Sequence, residues 1–312
     1  MEKPRIVVIA GPTAVGKSRL AVELAGEFSG EVVSADSMQV FRLMDIGTAK
    51  PAPVDMRGVP HHLMDIVDPD GEYTAADFRR DASRKIAEIT ARGGSAFVVG
   101  GTGLYVRALT EGLAPAPEAD RRIREELLRQ ARVEGPEAVH GRLAGVDPAA
   151  AAAIHPNNLR RVIRAIEVFE ITRTPISDLH RAHAFGERPF DTLKIGLMME
   201  REVLYEAIER RVDGMISAGL IEEVRALLAG GFRSDLKPMR GLGYKEITAF
   251  IEGRSTLAEA AGLIKRNTRR YAKRQLTWFR KDKEIKWFSP EDTDAIRRTV
   301  AAHLCLRAGG PS

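Results

Sequence analysis

Short apolar runs rich in β-branched residues alternate with stretches of helical period through the first hundred residues. Arg5-Ile6-Val7-Val8-Ile9-Ala10 has the near-continuous hydrophobicity of a strand buried on both faces. A glycine-rich turn follows it, then a helical pattern over Lys17–Glu27, then a second strand over Glu31–Asp36. Thr74 and Asp77 have the spacing of a capping box for a helix that runs to Arg92 and is stopped by Gly93-Gly94. Ser95–Val99 reads as a third strand, closed by Gly100-Gly101-Thr102-Gly103. Strands that alternate with helices predict an α/β protein with a parallel sheet and a ligand site at the strands' carboxyl ends. The pattern changes at Pro115. From there to Pro189 no strand pattern occurs, only amphipathic helices punctuated by Pro115, Pro117, Pro136, Pro148, Pro156 and Pro175. Leu193–Met199 is strand-like again and is expected to rejoin the sheet. Helices are expected from Val203 onward, with a frayed tail over Ala308–Ser312. The expected organisation is a core of residues 1–114 plus 190–312 that carries a helical insertion domain, 115–189.

Composition narrows the class. The single cysteine, Cys305, leaves no intrachain disulfide framework and no cysteine-rich metal site. The N-terminal residues Met1-Glu2-Lys3-Pro4-Arg5 lack the layout of a signal peptide, and no apolar run approaches a membrane span. A cytoplasmic protein is expected. The formal net charge of +5 is unevenly spread. Residues 1–114 sum to −2 and residues 115–312 to +7, and the window Gly262–Lys286 holds ten basic side chains against two acidic ones, Asp282 and Glu284. Such a cluster is the footprint of a polyanion partner, although a solvated helix face gives the same count.

Gly11-Pro12-Thr13-Ala14-Val15-Gly16-Lys17-Ser18 matches G-x-x-x-x-G-K-[ST] between a predicted strand and a predicted helix, the context in which that motif binds phosphate. Its glycines let the backbone wrap an anion, and the helix start adds partial positive charge. Lys17 supplies a full charge, and the Ser18 hydroxyl is placed for Mg²⁺. The loop identifies phosphate or diphosphate, and not necessarily ATP. The fold class is thus α/β with a P-loop NTPase-like parallel sheet core, a helical insertion domain and a helical C-terminal part. Asp36, ending the second strand ahead of Ser37-Met38-Gln39, could bind a metal, act as a general base or serve as a helix N-cap. Thr102 follows the third strand and points into the same crevice.

Further along come Met44–Pro51, Pro60–Leu63, Tyr73–Phe78, Val99–Tyr105, His155–Asn158, Gly241–Lys245 and Ala272–Arg280. As an ordered set with the phosphate loop and Asp36-Ser37, they resemble the bacterial tRNA dimethylallyltransferases (isopentenyl-tRNA transferases) along nearly the whole chain. The resemblance implies transfer of a dimethylallyl group from dimethylallyl diphosphate to N6 of the adenosine immediately 3′ of the anticodon, position 37. The expected substrates are tRNAs that read codons beginning with U. It implies that Gly11–Ser18 holds the diphosphate, with Mg²⁺ on Ser18, and that Asp36, Thr102 and Arg211 are catalytic. It implies RNA contacts from Asp36, Ser37, Met38, Gln39 and Thr102, from Arg124, Arg160, Arg161 and Arg164, and from Arg240, Gly243, Tyr244 and Lys245. Lys273, Arg274, Gln275 and Arg280 complete that set. The expected partners are the tRNA anticodon stem-loop and dimethylallyl diphosphate, with neither membrane nor DNA, and the protein is expected to be a monomer. Cysteine pairs of a zinc finger are lacking, so the extended eukaryotic form is not expected.

The chemistry fits without the name. A diphosphate leaving group needs cations, and a weakly nucleophilic exocyclic amine needs a base. Helical arithmetic places Lys265, Arg266, Arg269, Arg270, Lys273 and Arg274 on one half of a helix and Ile264, Thr268, Tyr271, Gln275 and Trp278 on the other. Arg160, Arg161 and Arg164 form a smaller basic face. Three alternatives share part of this logic: a P-loop kinase or ATPase, an adenylate isopentenyltransferase acting on free AMP, and a non-catalytic P-loop RNA-binding module. The first leaves the basic helices unexplained, the second needs no rim for a folded RNA, and the third predicts that RNA binds while no product forms.

Overall fold

The computed structural model describes residues 3–305, so the predicted fraying of Ala308–Ser312 lies outside the described residues. The described chain divides into two compact units, one formed by the segments up to Thr110 and from Arg188, the other by Glu111–Glu187.

The first unit is built on six parallel strands in the order β3-β2-β4-β1-β5-β6. They are β1 (Arg5–Ala10), β2 (Gly30–Ser34), β3 (His61–His62), β4 (Ser95–Gly100), β5 (Asp191–Leu197) and β6 (Lys286–Phe288). Successive residues of each strand point to opposite faces. Ile6, Val8, Val33 and Val98 therefore face one core, and Val7, Ile9, Val32, Phe97 and Val99 face the other. The first core is closed by α3 (Ala75–Ala91) and α4 (Gly103–Glu111), and by three later helices, α11 (Leu220–Ala229), α12 (Tyr244–Ile251) and α13 (Leu257–Phe279). The second is closed by α1 (Lys17–Glu27), α10 (Arg201–Ser217) and α14 (Thr293–Cys305). α3 has the reciprocal capping box between Thr74 and Asp77 and ends at Arg92, ahead of Gly93 at φ 78°.

Two short strands depart from expectation. β6 interrupts a region expected to be dominated by helices, and β3 is a two-residue edge strand. Neither is long enough to display a period; each is fixed by pairing, Ile195 with Lys286 and Val32 with His61.

The second unit is helical: α5 (Arg121–Glu134), α6 (Pro136–Val146), α7 (Pro148–Ala153), α8 (Leu159–Thr172) and α9 (Ile176–His183), with the four-residue α2 (Pro53–Met56) belonging to the first unit. Its own core is formed by residues such as Leu127, Val139, Leu143, Val162 and Ile166. Prolines open α6 and α7 at a position where the missing N–H costs nothing. Among the described residues, no helix is long and apolar enough to cross a membrane.

Candidate active site

The carboxyl ends of β1, β2 and β4 converge where β1 lies between β4 and β5, the switch point of the sheet. After β1 the chain turns at Gly11 (φ 145°), where a Cβ would stand 2.7 Å from the Leu197 carbonyl oxygen, so the loop can approach β5 only without a side chain. Gly16, at φ 93°, caps α1. Lys17 folds back over the loop and donates to the Pro12 carbonyl at 2.6 Å. Ser18 is exposed at the head of α1, with no protein partner among the described residues.

Asp36 lies two residues beyond β2. Its Oδ1 accepts the N–H groups of Met38 (2.8 Å) and Gln39 (3.4 Å), and its other oxygen takes no protein hydrogen bond among the described residues. One oxygen thus holds a turn, and the other is left for a ligand. Thr102 braces the same turn: its hydroxyl oxygen accepts the Ser37 N–H at 3.0 Å, and its own N–H donates to the Ala35 carbonyl at 3.2 Å.

Arg211 reaches the crevice from α10. Burial and the Arg211 charge push the Lys17 ammonium down to about 7, while Asp36 pulls the other way. Arg211 is itself lowered by burial and supported by Asp36. Two cations and one carboxylate therefore share a field of low dielectric. Burial, and after it the Asp36 charge, raises the phenols of Tyr105 and Tyr271, which stay neutral beside the carboxylate.

The residues expected to touch RNA fall into two groups. Arg160, Arg161, Arg240, Lys245, Lys273, Arg274 and Arg280 are exposed. Gly243 and the loop before it lie close to Met38, because a Cβ at Gly241 would stand 2.7 Å from the Met38 methyl. The others are partly or fully buried. In the second unit, Arg124 and Arg164 both clamp Glu167, whose side chain is fully buried and also accepts the Asp120 N–H. Arg164 reaches the Pro117 carbonyl as well. Leaving Glu167 unpaired would strand a buried charge, so these guanidiniums are committed to the fold. Tyr244 is fully buried, and its hydroxyl donates to Glu223 at 2.7 Å. Gln39 uses its amide on Ser34, Thr48 and Ala49. Gln275 is 6% exposed and bonds to Thr13 and Gly101.

The basic face of α13 is also less free than its local sequence suggests. Lys265 pairs with Asp213, and Arg269 pairs with Glu209 and packs on the Tyr205 ring, all three partners lying on α10. Arg266, Arg270, Lys273 and Arg274 remain outward. The two acids of the basic window, Asp282 and Glu284, are drawn to Lys194, a buried lysine on β5, at 2.7 and 2.8 Å.

One residue near the site had no signal in the sequence. Glu223 on α11 accepts the consecutive N–H groups of Asp45, Ile46 and Gly47 at 2.8, 2.7 and 3.0 Å. The loop held in this way presents the carbonyls that receive the Gln39 amide.

The model of the IPP transferase family matches residues 39–282. The chain belongs to the IPP transferase family. It is 56% identical over 300 residues to a protein of Geobacter metallireducens named tRNA dimethylallyltransferase, covering 96% of this chain and 97% of that one. Among solved structures, the full-length tRNA isopentenylpyrophosphate transferase from Bacillus halodurans is 45% identical with a TM-score of 0.73, covering 97% of this chain and 98% of that one. A eukaryotic dimethylallyltransferase acting on tRNA is 30% identical with a TM-score of 0.80, covering 95% of this chain and 78% of that one. In this IPP transferase Arg211 lies within the residues that the family model matches, and the Gly11–Ser18 loop and Asp36 precede them.

Proposed function

We propose that this transferase moves a dimethylallyl group from dimethylallyl diphosphate to N6 of the adenosine immediately 3′ of the anticodon in tRNAs reading codons that begin with U. Prenyl transfer to tRNA follows from the family and from relatives matched over nearly their full length. The donor, the adenosine and the roles of individual residues rest on the site. The observation that carries them is the meeting of Lys17, Arg211 and Asp36 at the carboxyl edge of the sheet, two cations for a leaving anion beside one carboxylate with a free oxygen.

The reaction balances on these groups. N6 attacks C1 of the dimethylallyl group as the C1–O bond to diphosphate breaks. The N6 proton passes to Asp36, and negative charge grows on the leaving diphosphate. Lys17, Arg211 and the loop amides bind that charge where it develops. Thr102, by holding Ser37, keeps the Asp36 turn facing the amine. An adenine must leave the anticodon stack to reach this crevice, at a cost of a few kcal/mol in a single-stranded loop. Ser18 offers one hard oxygen beside the loop, which suits Mg²⁺, an ion that takes few protein ligands and fills its octahedron with phosphate and water. Bound there, Mg²⁺ would neutralise diphosphate charge. Exposed cations of α13 supply an RNA surface on the first unit, and those of α8 supply one on the second. The protein acts as a cytoplasmic monomer in this proposal.

The test is incubation with dimethylallyl diphosphate, Mg²⁺ and unmodified tRNA, followed by mass analysis of the nucleosides. One dimethylallyl group on the adenosine 3′ of the anticodon is expected. ATP turnover without a prenylated nucleoside would replace this reading with that of a kinase or ATPase.

A further inference from the structure

Gln275 follows Lys273 and Arg274 on α13, yet its side chain turns inward. Its carbonyl oxygen accepts the Thr13 N–H at 2.9 Å, and its amide nitrogen donates to the Gly101 carbonyl at 2.9 Å. The partners fix the orientation of the amide, because a backbone N–H needs an acceptor and a backbone carbonyl needs a donor. No other side chain of this length offers both on one planar carbon without first taking up a proton. The two bonds reach different halves of the site. Thr13 belongs to the phosphate loop. Gly101 precedes Thr102, whose hydroxyl holds Ser37 beside Asp36. The fit is close: a Cβ at Gly101 would stand 2.1 Å from the Gln275 nitrogen, and one at Gly103 would stand 2.1 Å from the Trp278 ring. α13 therefore packs two side chains against a turn whose glycines leave room for them.

We propose that Gln275 is a positioning residue whose amide holds the phosphate loop and the Gly101–Thr102 turn at a fixed separation, and so sets the distance between the leaving diphosphate and Asp36. The proposal deepens the prenyl-transfer reading and rests on it. Gln275 touches neither substrate in this role. The helix that carries it also presents Lys273 and Arg274 outward, so one rigid element serves both the RNA surface and the spacing inside the crevice.

Three readouts on the full chain test it. With both substrates saturating, Gln275→Leu is expected to lower kcat about 10- to 100-fold while the KM for tRNA stays within about twofold, the pattern of misplaced reacting groups. Its Thr13 amide should exchange hydrogen faster than in the wild type. Gln275→Glu keeps the shape. Its protonated form can donate to Gly101 and its charged form cannot, so its activity relative to wild type should rise as pH falls from about 8 to about 6. A raised tRNA KM with unchanged kcat would make Gln275 an RNA contact and overturn the proposal. So would kcat within about twofold of wild type, an activity ratio flat with pH, or unchanged Thr13 exchange. If the wild type itself makes no prenylated tRNA, the function reading fails, and Thr13 exchange still decides whether the bridge exists.

Discussion

Lys17 enters the crevice with its ammonium pushed down to about 7 by burial and by Arg211. In the substrate-free protein it is charged below that pH and neutral above it. A bound diphosphate raises the group again, so binding above pH 7 takes up a proton. Affinity for dimethylallyl diphosphate is expected to fall as pH rises from about 7 to about 9, by at most about tenfold per unit. Calorimetry in two buffers of different ionisation heat measures the proton uptake directly. Lys17→Arg keeps its charge throughout this range and should lose the slope. Lys17 and Asp36 were legible in the sequence because a loop motif and a strand end announce them. Their supports were not. Gln275 lies 262 residues from Thr13, and Glu223 lies 176 to 178 residues from the amides it accepts. No local spacing encodes such pairs.

At the scale of elements, strands with a full period and helices with caps were readable, and pairings were not. β3 and β6 have too few residues for a pattern, and the fold alone brings Glu209 and Asp213 of α10 against the basic face of α13. The same limit explains Tyr244 and the pair Arg124 and Arg164, residues of the expected RNA set that bond to Glu223 and to the buried Glu167. Glu223 gives this scale its prediction. Its carboxylate accepts three backbone N–H groups and one hydroxyl. Glu223→Ala would leave these donors unpaired, at a cost of about 1–3 kcal/mol for a single unsatisfied buried group. A clear loss of denaturant midpoint is expected. Glu223→Gln, which still offers one acceptor, should lose less.

For the whole molecule, the modest net charge conceals a division between a near-neutral part that carries the proposed diphosphate site and later helices that are basic. The division was legible from the sequence. The number of free cations was not, because Lys265 and Arg269 are neutralised from α10. The two classes should separate by salt. Replacing Lys273 and Arg274 with Ala is expected to weaken tRNA binding and to reduce the slope of log affinity against log salt by roughly 1 to 2. Replacing Lys265 and Arg269 should change that slope less and stability more. Filter binding across a salt series reads the slopes, and equal slopes would contradict the division.

The central claim is that Asp36, held by its own turn and by Thr102, takes the proton from the attacking amine beside the diphosphate loop. Single-turnover prenylation by Asp36→Ala, with tRNA affinity measured in the same preparation, tests it most directly. The account predicts a rate about 10²- to 10⁴-fold below wild type with tRNA affinity nearly unchanged. A rate equal to that of the wild type would contradict it.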